Sequence, residues 1–196
     1  AIGFSVMLSV QLAMNFISMA LNPQDFKYTL DVQGWLLDWV LALVLVVAAA
    51  FLEELLTRAY IAHFVADYME TRPLNMLYYC LASAVVFAIA HFSNPEVAGK
   101  GAFYAMAFYF MMGFVLMLIT LRTRSIGAAL GIHIANNLVN AWFFTYDNAA
   151  VKTNALYTQA NNEGPMLLVQ AALSLALCTL AVLYHRPMSL SKESSK

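Results

Sequence analysis

Between Trp35 and Leu56 the chain carries almost no polar side chain, and apolar stretches of similar length recur from end to end. A bilayer core is roughly 30 Å thick and takes about 20 apolar residues per helix. Within such a helix every interior backbone polar group is bonded inside the segment. Six stretches meet that requirement, at about 2–21, 35–66, 74–92, 102–121, 126–146 and 166–184. With 62% hydrophobic residues, 11% charged residues and a mean hydropathy of +0.71, 196 residues offer too little polar surface to clothe a soluble globule. The expected fold is all-α, a polytopic membrane helix bundle with about six transmembrane helices. It forms a single integral-membrane domain over 1–188, followed by a loose polar tail over 189–196 that is rich in Ser and Lys.

The breaks between stretches carry the residues that end or start helices: Asn22-Pro23, Arg72-Pro73, Asn94-Pro95, Gly99-Lys100-Gly101 and Gly164-Pro165. No internal repeat is evident, and Asp147 to Gly164 reads as a polar, Asn-rich loop. The first apolar stretch lacks a basic region before it and a clear small-residue cleavage site, so it reads as a span rather than a signal peptide. Cys80 and Cys178 fall inside expected spans, where a thiol behaves as a small apolar group. A net charge of −1 without a basic run excludes the positive footprint that nucleic-acid binding needs.

Orientation follows from the basic residues, which are enriched in retained loops. With the N-terminus inside, Arg58, Arg72, Arg122, Arg124, Arg186, Lys192 and Lys196 fall toward the cytoplasm, and Lys27, Lys100 and Lys152 fall outside. Both termini are therefore expected on the cytoplasmic side, and the membrane is expected to be a bacterial cytoplasmic membrane. Trp35, Trp39 and Trp142 then lie near the outer interface, which favours indole rings.

Two carboxylates, Glu53 and Glu54, interrupt the second stretch. A charge near mid-bilayer costs roughly 2.5 to 3.5 kcal/mol on insertion scales, so such residues are kept for a task. Adjacent residues on a helix diverge by 100°, whereas Glu54 and Arg58 share a face at i and i+4. Pairing of those two leaves Glu53 unpaired and partly desolvated, which disfavours its charged form and suits it to accept and return a proton. Counting from a turn near Glu70 at 1.5 Å per residue, Glu53 lies about 26 Å up one helix and His91 about 31 Å up its antiparallel neighbour. The two can meet at similar depth. Phe87 and His91 repeat the i, i+4 spacing, with Phe87 as an apolar wall. So do His133 and Asn137, on a stretch rich in small residues that lets helices approach closely. Both can donate to a developing oxyanion. Asn136 points elsewhere, and Asn140 extends the polar face as support. Gln11 and Asn15 read as inter-helix hydrogen bonders, His63 as an interfacial residue, and Met106, Met111, Met112 and Met117 as packing or lipid-facing groups.

The three elements Glu53-Glu54-x-x-x-Arg58, Phe87-x-x-x-His91 and His133-x-x-x-Asn137 together resemble the signature of the CPBP family. These are the CAAX prenyl proteases and the bacteriocin-processing or immunity proteins, and the context Arg122 to Asn137 is similar too. The resemblance covers about 35–146, which is then the catalytic core. It departs at Thr57 and Ala59, where family members often have an aromatic residue and a glycine. It implies an intramembrane endopeptidase in which Glu53 and His91 activate water while His133 and Asn137 hold the oxyanion, with Glu54, Arg58, Phe87 and Asn140 in support.

The expected partners are the lipid bilayer and a membrane-associated peptide or protein substrate, with a membrane protein partner left open. No cofactor is expected. The rival is a zinc-dependent hydrolase using Glu53, Glu54, His91 and His133, although there is no His-Glu-x-x-His pair and Asn137 is a poor zinc ligand. Outside the enzyme class stand a non-catalytic membrane adaptor or immunity protein of the same fold and a transporter with Glu53 as proton relay.

Overall fold

The computed structural model describes residues 1–68, 76–98, 101–160 and 164–185. Helix α1 spans Ile2–Leu21, and a short 3-10 turn at Pro23–Asp25 leads into strand β1, Phe26–Tyr28. Helix α2, Trp35–Glu54, passes through a π-helical segment, Leu55–Tyr60, into α3, Ile61–Tyr68. Then follow α4 (Met76–Ala90), α5 (Ala102–Thr123), α6 (Gly127–Trp142), strands β2 (Phe144–Tyr146) and β3 (Tyr157–Gln159), and α7 (Pro165–Tyr184). The expected helix bundle is present, with segment ends within a few residues of the hydropathy boundaries. Among the described residues, four helices are long and apolar enough to cross a membrane: α1, Trp35–Val65, α5 and α7. Helices α4 and α6 are shorter, at 15 and 16 residues.

The stretch expected as a span over 126–146 leaves the helix at Trp142 and turns extended. The three short strands form a sheet in the order β1-β3-β2, with β1 antiparallel and β2 parallel to β3. The loop expected after Asp147 thus contributes a strand. Apolar composition does not forbid this, because Phe144 buries its ring against Phe16, Phe26 and Tyr157. The indoles of Trp39 and Trp142 stack at 5.4 Å, and Trp35 meets Trp39 edge-on at 5.3 Å. The Arg72-Pro73 break, the Gly99-Lys100 pair and the polar tail lie outside the described residues.

Small residues set the helix spacing. A Cβ on Gly3 of α1 would meet the Ala128 carbonyl oxygen of α6 at 2.6 Å, and one on Gly113 of α5 would meet Ala84 Cα at 2.7 Å and Phe87 Cβ at 2.9 Å on α4. Met112 and Met117 are buried, and Met106 and Met111 pack against the same cluster, so these thioethers are packing groups. Gly113→Ala is expected to push α4 from α5 and shift Phe87. The expected cost is about 1–3 kcal/mol, read as a lower denaturation midpoint in detergent.

Candidate active site

The buried stripe of α2 recurs every fourth residue, at Ala42, Val46, Ala50 and Glu54, and continues to Arg58. A strict four-residue repeat drifts about 40° per step around an ideal α-helix. The π segment that begins after Glu54 turns less per residue, so Thr57 and Arg58 stay on the side that meets the bundle. The Thr57 hydroxyl donates to the Glu53 carbonyl at 2.6 Å and accepts from Arg58 Nη1, tying the widened turn together. Thr57, one of the two departures from the family pattern, thus braces the charged pair, while Ala59 faces outward.

Glu54 and Arg58 are both fully buried, and Arg58 Nε lies 3.1 Å from Glu54 Oε2. The guanidinium also sits over the Phe87 ring, 4.7 Å from its centroid. The other Glu54 oxygen accepts from His133 Nδ1 on α6 at 2.8 Å. Both carboxylate oxygens of Glu54 are therefore engaged.

Helix α4 ends at Ala90 because the chain must turn extended at Asn94 before Pro95. His91 sits in that turn, with Nδ1 2.7 Å from the Phe87 carbonyl oxygen. A carbonyl can only accept, so the proton is on Nδ1 and the neutral ring presents its Nε2 lone pair. The ring lies between Phe87, at 4.4 Å, and Tyr109 of α5, stacked at 4.2 Å.

Glu53 is where these parts converge. Its Oε2 lies 3.5 Å from His91 Nε2 and 3.6 Å from His133 Nε2. Glu53 meets His91 at the end of α4 as expected, and it also faces His133 of α6, so it is not left without a partner once Glu54 pairs with Arg58. Its side chain keeps 35% of its surface exposed, so the cluster is not sealed. With Nδ1 of each histidine bonded elsewhere, the three groups present acceptors toward one point. Arg58 balances one of the two glutamates, so one further proton makes the cluster neutral. That proton can reside on Glu53, His91 or His133.

Asn137 accepts from Asn136 Nδ2 at 3.1 Å, and Asn136 Oδ1 accepts from Gln11 of α1 at 3.0 Å. Asn15 in turn donates to the Gln11 main-chain carbonyl at 2.8 Å and to the Gln11 Oε1 at 3.5 Å. This relay fixes the Asn137 carbonyl and leaves its NH2 pointing away from Asn136. Asn140, expected to extend the Asn137 face, lines a separate cavity beside Asn136. Sequence spacing missed Tyr109, which has no polar residue four positions away, and the orienting parts of Thr57 and Asn136, whose contacts run to a main-chain carbonyl and to Gln11 of another helix.

The chain is 27% identical over 198 residues to an uncharacterised protein, YyaK, of Bacillus subtilis (strain 168), an alignment that takes in 98% of this chain and 64% of that protein. The chain thus spans about two-thirds or slightly less of the curated relative it matches. No solved structure matches it. Residues 34–139, which hold every group of the cluster, match the model of the type II CAAX prenyl endopeptidase Rce1-like family. With its long apolar helices and that match across more than half its length, this integral membrane protein belongs to the Rce1-like family.

Proposed function

We propose that the protein is an intramembrane endopeptidase that hydrolyses a peptide bond in a membrane-associated peptide or protein. The observation that carries this reading is the approach of two imidazole Nε2 atoms to one oxygen of a partly open glutamate. A water between Glu53 Oε2 and His91 Nε2 donates its hydrogens to them and keeps a lone pair for attack. Glu53, helped by His91, takes a proton from that water as it adds to the scissile carbonyl. Protonated His133, with its Nδ1–H held by Glu54 and its Nε2–H facing the substrate, and the Asn137 NH2 donate to the oxyanion. Protonated Glu53 then delivers its proton to the leaving amine, and the products are a carboxylic acid and an amine. No covalent intermediate is formed. Arg58, Thr57 and Phe87 hold Glu54 and the rings in place.

In this reading the reaction depends on glutamate and not on a metal. The bundle lies in a bacterial cytoplasmic membrane with both termini cytoplasmic. Lys27 and Lys152 on the sheet side and Arg122 and Arg124 at the α5–α6 turn agree with that orientation. The test is the purified protein in lipid nanodiscs, incubated with membrane peptides before and after treatment with a strong chelator. New peptide termini should form at the same rate in both. Loss on chelation with recovery on adding zinc contradicts the metal-free reading, and no new termini in either contradicts the peptidase.

A further inference from the structure

A second polar site lies beside the cluster and shares Gln11, Asn136 and Tyr109 with its supports. Gln11, Asn15, Asn136, Asn140 and Gln170 line a cavity between α1, α6 and α7, an unusual density of amides for the interior of a membrane bundle. Glu96, Tyr109 and Tyr146 close it, and no described residue along its wall is Lys or Arg. Glu96 follows Pro95 in the turn after His91. Its Oε1 accepts from the Tyr109 hydroxyl and, at 3.2 Å, from Asn94 Nδ2. Its Oε2 is buried with no hydrogen-bond partner among the described residues. Tyr146, on β2 and outside the spans, is held as a neutral phenol, because burial and then the negative charge of Glu96 push its ionisation up. The wall therefore concentrates one negative charge among neutral dipoles. An uncompensated buried carboxylate is costly, and a cation that pairs with it is favoured.

The distance to the cluster is short. The Tyr109 ring stacks on His91 at 4.2 Å while its hydroxyl holds Glu96. One phenol separates this carboxylate from the group next to Glu53.

We propose that this cavity is a cation subsite, in which Glu96 receives the guanidinium or ammonium side chain of a substrate residue close to the scissile bond. That the cation belongs to a substrate rests on the peptidase reading; the cation site itself does not. Neutral amides around the carboxylate complete the hydrogen bonds of such a head group, and the apolar walls from Ala105, Phe108 and Leu167 accept its stem.

The test uses the Glu53→Gln protein in nanodiscs and the fluorescent cation p-aminobenzamidine, with neutral p-aminobenzamide as control. The cation should bind saturably and about tenfold or more tightly than the neutral probe, and Glu96→Gln should remove that preference. Ala105→Leu, which fills the cavity and leaves Glu96 in place, should weaken the cation by a similar factor. Equal binding of the two probes, an unchanged preference in Glu96→Gln, or no binding to the Glu53→Gln protein overturns the proposal. The intact protein is then given paired peptides that differ only in arginine or citrulline near the cleaved bond. Their kcat/KM ratio should fall toward one in Glu96→Gln, and equal cleavage of the pair by the intact protein overturns the substrate assignment. Probe binding without any peptide cleavage would instead count against the peptidase reading and leave the cation site standing.

Discussion

Glu53→Gln is expected to reduce peptide hydrolysis by at least about 10³-fold, because glutamine keeps the size and polarity of the side chain and cannot take a proton from water. The fold should survive. Glu53 is partly exposed, and its contacts with His91 and His133 are at 3.5 and 3.6 Å, longer than good hydrogen bonds. Replacement by an amide therefore leaves no buried charge stranded. Steady-state cleavage and the denaturation midpoint of the same preparation check both halves. Substantial activity in the variant rejects Glu53 as the base, and loss of folded protein rejects its separation from the structural pair.

Arg58→Met reverses that pattern, with stability falling first. Removing the guanidinium leaves Glu54, which has no exposed surface, with His133 as its remaining polar partner. Breaking a buried pair in this way costs about 3–5 kcal/mol, since the surviving charge is neither solvated nor balanced. The Phe87 ring also loses the cation above it, so the wall beside His91 loosens. Glu54→Gln added to Arg58→Met should recover much of the lost stability, because no charge is then stranded. Activity should stay low, as the carboxylate that supports a protonated His133 is gone. A denaturation series on the two single variants and the double variant measures the coupling. Independent, additive losses would contradict the pairing.

The bundle was legible because lipid imposes length and apolarity on each span, and those are sequence properties. Breaks such as Asn94-Pro95 and Gly164-Pro165 were legible because proline restricts its own backbone and the residue before it. Spacing also gave the Glu54–Arg58 pair, a contact within one helix. It could not give the helix rotations that bring His133 between the two glutamates. Nor did it reveal the π segment, whose widened turn depends on packing against other helices. That is the physical reason the spacing brings only His91 to Glu53, whereas the carboxylate also faces the His133 ring. The strands of three residues are too short to show a period of two, so β2 was read as a continuation of its helix. Tyr109 and Glu96 carry no repeat at all, and only the close packing of α5 against the turn after α4 brings them beside His91.

The central claim, that this cluster cuts peptides within the membrane, is tested most directly by mapping peptide termini in membranes from cells that carry the intact protein or Glu53→Gln at equal levels. The account predicts at least one terminus found with the intact protein and absent with the variant. Identical sets of termini from the two membranes would contradict it.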